Sequence, residues 1–332
     1  MTNSSDIDTL IEVKNLKKYF PVKNKFFSRS KLYNKAIDDI SFSIKKGKIL
    51  GLVGESGCGK STVGKTILNL IQPTGGTVKF NNKLIFDVEK NIKLQKAHLN
   101  SIRKDMQIIF QDPYGSLDPK MTIKNIISEV IKKHKIIPSS EIENRCIELL
   151  NLCGMDKSYL NKYPHEFSGG QRQRICIARA LSLNPQFIVC DEPTAALDVS
   201  IQSQILNLML DLKEELSLTY LFISHNLSVV MNFCDDISVM YLGKIVESAP
   251  TDELKRNPLH PYTKVLISSM PVSHPLEKKQ RILLKGSIPN GTNIPNGCRF
   301  HTRCPNCMDI CKIKSPCYKE ISPNHLIACH LF

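Results

Sequence analysis

No run in this 332-residue chain approaches the ~18 consecutive apolar residues that a membrane-spanning helix needs. The opening MTNSSDIDTL lacks the basic-then-apolar layout of a secretory leader. A cytosolic chain, soluble or peripheral to a membrane, is therefore expected. Internal repeats and low-complexity tracts are also missing. Hydrophobic residues make up 42% and charged residues 23%, which excludes a disordered chain and a coiled coil. At roughly 150 residues per domain, the length suggests about two domains with a substantial core.

Acidic residues are the scarcer charge. Asp+Glu number 31 against 45 Lys+Arg, a net +14. From Lys14 to Lys48 there are eleven Lys/Arg and two Asp. A solvated lysine-rich face, an anionic membrane surface and nucleic acid all fit this surplus, and charge alone does not choose among them.

Short β-branched runs alternate with longer amphipathic ones between residues 10 and 270, the pattern of an α/β domain with a mainly parallel sheet. Buried strands are predicted at Ile49–Val53, Gln107–Phe110, Phe187–Cys190 and Tyr220–Ile223. Helices are predicted at Ser61–Leu70, Gly170–Leu181 and Ile201–Leu216. Residues 116–168 read as consecutive helices, such as Glu141–Leu152, with no convincing strand.

Gly54-Glu55-Ser56-Gly57-Cys58-Gly59-Lys60-Ser61 fits G-x-x-x-x-G-K-[ST] between a predicted strand and a predicted helix. The glycines let backbone N–H groups wrap phosphates, and the helix N-terminus adds positive potential. Lys60 can reach the β- and γ-phosphates, and Ser61 can bind Mg²⁺. Phe187-Ile188-Val189-Cys190 is an apolar strand ending in two carboxylates. Asp191 can hold the Mg²⁺ shell and Glu192 can orient or deprotonate the attacking water. These elements define a phosphate-loop NTPase and leave kinases, GTPases and helicases open. Phe167-Ser168-Gly169-Gly170-Gln171 then opens another predicted helix, with Ser168 as its cap. One ATP in one protomer hardly needs two such anion sites; a head-to-tail dimer does. Cys58 and Cys190 beside the site read as small packing residues.

In these residues the chain resembles the ATP-binding cassette (ABC) family from about residue 10 to 270. The fold implied is α/β: a phosphate-loop NTPase core with a mainly parallel sheet, an antiparallel β edge, a helical subdomain at about 112–180 and, beyond 270, a Cys-rich extension over 271–332. By the resemblance, Gly54–Ser61 with Thr62 bind nucleotide. Gln111 is the glutamine that touches Mg²⁺ and couples to the membrane subunits. Ser168, Gly169, Gly170 and Gln171 form the signature, with Phe167 where many members have Leu. Asp191 and Glu192 are the metal-binding and catalytic carboxylates. Asp198, in Ala196-Leu197-Asp198, belongs to the D-loop, and His225 is the switch histidine at the γ-phosphate. Phe20 falls where an aromatic stacks on adenine, with Tyr19 as a rival. Asn226 stands where relatives usually carry Asp, a change expected to weaken the orientation of His225 without removing it.

Six of the twelve cysteines (Cys298, Cys304, Cys307, Cys311, Cys317 and Cys329) crowd the last 35 residues, and the stretch from Pro271 holds seven of eighteen prolines. A segment so poor in periodic apolar residues cannot close a core alone, and a metal or cluster staple would make physical sense. There is no pair of C-x₂-C knuckles of the ribbon kind. Four thiolates suit an iron–sulfur cluster, while His301, His325 and His330 leave a mixed Cys/His zinc site open, as do uncoordinated thiols. Gly297-Cys298-x-Phe300-x₂-Arg303-Cys304 with Cys311 and Cys329 resembles the C-terminal extension of ATPases from dipeptide and oligopeptide importers. That resemblance implies a 4Fe–4S cluster on Cys298, Cys304, Cys311 and Cys329, with Cys307 and Cys317 as extras.

The stretches Gln111–Pro119, Tyr163–Phe167 and His260–Thr263 resemble the same subfamily, and Tyr114-Gly115-Ser116 with Ser224-His225 its "F" type. The expected activity is ATP hydrolysis that powers peptide uptake. Expected partners are two membrane permeases, a second ABC ATPase and an extracytoplasmic peptide-binding protein, with the chain peripheral on the cytoplasmic face of the membrane. No nucleic-acid partner is expected. The alternatives are the same motor for nickel, glutathione or cationic peptides, and a soluble ABC ATPase acting on nucleic acid.

Overall fold

The structure, a computed structural model, describes residues 8–22, 32–93, 96–270 and 291–332, with Ile282, Leu284, Gly286 and Pro289 between them. The chain divides into two compact units. The first comprises residues 1–44, 49–93 and 224–332, and the second residues 45–48 and 94–223.

The first unit contains two sheets. One has the strand order Tyr33–Lys45, Thr9–Pro21, Gly75–Phe80, Lys83–Asp87, Ile92–Lys93. Thr9–Pro21 buries Leu10, Ile11, Val13 and Leu16 and runs antiparallel to Gly75–Phe80, with Ile11 opposite Phe80 and Val13 opposite Val78. Its lysines lie on the less buried positions, and Glu12 pairs with both Lys14 and Lys79.

The other sheet is built on Ile49–Val53, five buried residues in a row, as a strand covered on both faces requires. It pairs in parallel with Asp236–Tyr241, Leu50 opposite Asp236 and Val53 opposite Val239. Lys244–Pro250 follows antiparallel. The tail then adds a hairpin, His325–Ile327 against Lys244–Pro250 and Lys319–Ser322 outside it, turning at Asn324 with φ 62°. The cysteine-rich tail therefore borrows the core of the first unit. Phe300, 1% exposed, lies among Tyr241, Tyr262 and His260 with ring centroids 5.2, 5.3 and 5.7 Å away.

In the second unit Met106–Ile109, Phe187–Asp191 and Thr219–Ser224 form a parallel set, with Met106 opposite Phe187 and Phe187 opposite Thr219. Phe110, predicted as strand, lies past the end of its strand and is exposed, where the chain turns out toward Gln111. Helices Ile123–His134 and Ile142–Leu152 lie within 116–168, which holds no strand among the described residues. Helix Val199–Leu216 begins two residues earlier than predicted, behind Asp198. In the first unit, helix Lys60–Ile67 stops short of the predicted Leu70. Asn69 turns left-handed at φ 53°, and the N–H groups of Leu70 and Ile71 close back on the Lys65 carbonyl.

Candidate nucleotide-binding and catalytic site

The phosphate loop leaves the carboxyl end of Ile49–Val53 in the first unit and runs into helix Lys60–Ile67. Gly54 and Gly59 take φ of 156° and 109°. A Cβ would stand 2.1 Å from the Met240 carbonyl oxygen at Gly54 and 2.0 Å from that of Ala36 at Gly59. Only glycine fits either place. Ser56 and Gly57 are exposed at the loop's rim, bordering a cavity of about 230 Å³ shared with Glu55, Cys58, Tyr241 and Gly291. Lys60 is buried, and its ammonium donates to the carbonyls of Gly54 (2.7 Å) and Glu55 (3.1 Å) and toward Cys58 Sγ (3.9 Å). Ser61 and Thr62 follow in the helix's first turn, half-buried. A glycine-lined cradle with a cation folded into it fits a polyphosphate.

Cys58 is 4% exposed and burial pushes its thiol up; Cys190 is fully buried and its thiol is pushed up as well. Both are packing residues.

The second unit presents the carboxylates. Asp191, 3% exposed, ends the strand Phe187–Asp191. Glu192 follows with φ 49°, a left-handed backbone unusual for a residue with a side chain. Its N–H donates to the Ile223 carbonyl (2.9 Å), and Gln111 Nε2 donates to its Oε2 at 3.0 Å. The structure thus brings together two residues 81 apart in sequence, Gln111 and Glu192.

Helix Gly169–Leu181 starts with a reciprocal cap. Gln171 N–H donates to Ser168 Oγ (3.3 Å), and Ser168 N–H donates to Gln171 Oε1 (3.0 Å). Phe167 is buried edge-on against Tyr159, which explains why an aromatic serves there. Arg172 lies 3.9 Å over the Tyr114 ring, and Arg179 Nη1 donates to the Ser116 carbonyl, so the segment after Gln111 is tied to the signature helix. Asp198 is exposed at the N-cap of Val199–Leu216.

His225 is exposed in the first unit, and Asn226 caps helix Leu227–Phe233, accepting from the N–H groups of Ser228 (3.1 Å) and Val229 (3.4 Å). Phe20 and Tyr19 are both half-buried on Thr9–Pro21. Tyr19 is committed: its hydroxyl donates to Asp38. The Lys18 ammonium lies 4.7 Å from the Phe20 ring centroid.

Of the cysteines in the tail, Cys307 and Cys317 are exposed and Cys311 and Cys329 buried. Burial, chiefly, pushes the Cys298 thiol up to about 11, with smaller contributions from Cys311, Cys329 and Cys304. Burial, chiefly, raises the Cys304 and Cys329 thiols as well. They are a soft donor set, but among the described residues no group of three or more His, Cys, Asp or Glu is arranged to hold a metal ion. The tail histidines are occupied elsewhere. His325 Nε2 donates to buried Glu247 (2.8 Å), His301 Nδ1 to the Cys298 carbonyl (2.8 Å) and His330 Nε2 to the Lys314 carbonyl (2.8 Å).

Sequence reasoning assigned no role to Arg299, Arg303, Tyr262 or Glu247. The structure gives each one. Arg303 forks onto Glu55 of the phosphate loop, and Arg299 pairs with Asp38. Tyr262 accepts the Glu55 N–H at 3.0 Å. Glu247 accepts from His325 and from the N–H groups of Leu259 and His260. Besides the Gly297–Cys304 motif, which contains Arg303, the His260-Pro261-Tyr262-Thr263 stretch carried a signal. It opens a helix in which His260 Nδ1 accepts the Tyr262 N–H and Pro261 sits at the first turn.

A phosphate loop opening a helix, a buried strand closing on adjacent carboxylates and a second glycine-started helix define a phosphate-loop ATPase. The family described as "ABC transporter" matches residues 37–195, and "Oligopeptide/dipeptide transporter, C-terminal region" matches residues 246–311. The oligopeptide transport ATP-binding protein AppF of Bacillus subtilis (strain 168) is 50% identical, covering 98% of this chain and 98% of its own. The putative oligopeptide transport ATP-binding protein YkfD of the same organism is 46% identical over 97% of this chain and 95% of its own. Among solved structures, cbiO1 of Clostridium perfringens, part of the ABC transporter complex cbiONQ, superposes with TM-score 0.63 at 26% identity, covering 75% of this chain and 92% of that one. The ATP-binding cassette MJ0796, dimeric and bound to ADP and Pi, superposes with TM-score 0.61 at 29% identity, covering 73% and 99%. The chain belongs to the ABC transporter ATPases, in their oligopeptide/dipeptide branch. Its substrate is ATP, used with Mg²⁺. Among the described residues no helix is long and apolar enough to cross a membrane.

Proposed function

We propose that this chain is the ATP-hydrolysing subunit of a peptide importer, bound to the cytoplasmic face of the membrane through two permease subunits. A second cassette ATPase completes the motor, and an extracytoplasmic binding protein delivers the peptide. The observation that carries this reading is the near-full-length likeness to an oligopeptide transport ATP-binding protein, tail included. The ATPase domain spans residues 10–270, with a helical subdomain at about 112–180 and an extension at 271–332.

In this reading the loop Gly54–Thr62 wraps the phosphates with its backbone N–H groups, that of Glu55 excepted, which Tyr262 accepts. Lys60 exchanges its bonds to the Gly54 and Glu55 carbonyls for charge-assisted bonds to phosphate oxygens. Phe20 takes the adenine face, since Tyr19 is bound to Asp38. Ser61, Asp191 and Gln111 would hold Mg²⁺, which would supply charge neutralisation at the phosphates. Glu192 orients the attacking water and accepts its proton. Gln111, already on Glu192 Oε2, fixes that carboxylate, so a shift of the segment after Gln111 reaches the water-positioning group directly. His225 contacts the γ-phosphate. Ser168–Gln171 with Asp198 serve the partner's nucleotide in a head-to-tail dimer, as a capped, exposed helix start suits.

Cys298, Cys304, Cys311 and Cys329 are the ligands of a 4Fe–4S cluster in this reading. Their crowding into the last 35 residues supports it, and ligation requires them to draw together from their present arrangement. Anaerobically purified protein is expected to contain iron and acid-labile sulfide; absence of both removes the cluster.

The test of the importer is a mild-detergent pull-down of tagged protein from native membranes. Two permeases, a second cassette ATPase and a binding protein are expected. Recovery of only soluble or nucleic-acid-linked partners would overturn the transport role and leave the ATPase.

A further inference from the structure

The phosphate loop carries a carboxylate that no step of ATP hydrolysis uses. Glu55 is the loop's second residue, and an unneutralised negative charge there repels an incoming triphosphate. The tail meets it. Arg303 Nη1 donates to Glu55 Oε2 at 2.7 Å and Nη2 to Oε1 at 3.0 Å, a two-pronged pair across 248 residues of sequence. The Arg303 side chain is 8% exposed and that of Glu55 23%. Nη1 also reaches the Tyr241 hydroxyl at 3.4 Å. The Glu55 N–H, in turn, is donated to Tyr262. This loop position is therefore held through both its backbone and its side chain.

Arg303 is itself fixed. Its N–H donates to the carbonyl of Phe300, the ring buried among Tyr241, Tyr262 and His260. On the other side of Phe300, Arg299 pairs with Asp38 and donates to the Leu242 carbonyl. The second oxygen of Asp38 holds Tyr19, next in sequence to Phe20. Two arginines flanking one buried ring thus anchor the tail to the phosphate loop and to the strand that carries the candidate adenine aromatic. The left-handed turn at Gly297 leads into this segment.

We propose that Arg303 is a positioning residue for ATP: it neutralises Glu55 and steadies the phosphate loop, so that filling of the nucleotide site depends on the docked tail. This rests on the ATPase reading and concerns binding rather than the chemical step.

The test uses the full-length chain, with equilibrium binding of MgATP and steady-state hydrolysis measured on the same preparations. Arg303→Ala is expected to weaken ATP binding about tenfold, the scale of a largely desolvated charged pair, and to raise KM far more than it lowers kcat. Arg303→Lys keeps the cation without the fork and is expected to lose about threefold. Adding Glu55→Gln to Arg303→Ala removes the stranded carboxylate and is expected to recover most of the lost affinity. A merely structural arginine would not give that rescue. Wild-type affinity in both Arg303 variants would overturn the proposal, as would a loss that Glu55→Gln does not recover. Should Arg303→Ala fail to fold, Arg303→Lys with and without Glu55→Gln decides by the same rescue. A wild-type chain that bound no ATP would overturn the ATPase reading instead.

Discussion

Replacing Phe300 by alanine removes the ring on which the docking of the tail depends. The residue is 1% exposed and touches three rings, Tyr241, Tyr262 and His260, at 5.2, 5.3 and 5.7 Å. A buried Phe→Ala change costs about 3–5 kcal/mol in lost transfer energy and cavity, and the aromatic contacts place this one in the upper part of that range. For a folding unit of this size the melting temperature should fall on the order of 10 °C. Differential scanning calorimetry of the full chain would read it, with Ile313→Ala as the control, since Ile313 is 81% exposed in the same tail and should change nothing. Because Arg299 and Arg303 flank the ring, ATP affinity should fall as well. A Phe300→Ala protein melting within about 1 °C of wild type would refute the reasoning. The tail would then add no core to the first unit.

The remaining predictions concern the site, one titration and the reactivity of the thiols. Glu192→Gln is expected to bind ATP with near wild-type affinity and hydrolyse it at least ~100-fold more slowly, the scale of lost general-base catalysis; near-normal turnover contradicts the role of Glu192. Lys60→Ala should lose most nucleotide affinity, read by equilibrium binding. Burial pushes the His260 imidazole down to about 3, and its Nδ1 must stay unprotonated to accept the Tyr262 N–H. The folded pKa lies below the ordinary value. The stabilisation is therefore complete above pH ~6.5 and is lost as pH falls toward 3, by about 1.4 kcal/mol per pH unit. His260→Asn, which can still cap, should flatten that part of the urea-unfolding profile, and an unchanged slope would count against it. Iodoacetamide at neutral pH should label exposed Cys307 and Cys317 and spare buried Cys146, Cys153 and Cys176, whose thiols are pushed up to about 11, 12 and 12. Rapid labelling of those three, seen by mass spectrometry, would contradict the packing role.

Much of the ATPase core was legible because its signals are local. Ile49–Val53 and Phe187–Asp191 are short apolar runs beside glycine or carboxylate motifs, and Ser168 announces its helix with a capping residue. The tail was not legible in the same way. Its strands are Lys319–Ser322, with three polar residues of four, and His325–Ile327, three residues long, neither of which shows a period. Their pairing with Lys244–Pro250 is a long-range property of the fold. The Arg303–Glu55 fork and the buried His325–Glu247 contact join residues 248 and 78 apart, and side-chain pairing at that range leaves no pattern in a single sequence. The cysteine spacing pointed to a staple. The structure shows that the tail also has a buried ring, two arginine anchors and a hairpin to hold it.

The most direct measurement is uptake of labelled oligopeptides by cells that lack this chain, complemented with wild type or with Glu192→Gln. The account predicts that uptake disappears without the chain, returns with wild type and does not return with Glu192→Gln, although the variant is expressed and membrane-associated. Normal peptide uptake in the absence of the chain, or full rescue by Glu192→Gln, would contradict it.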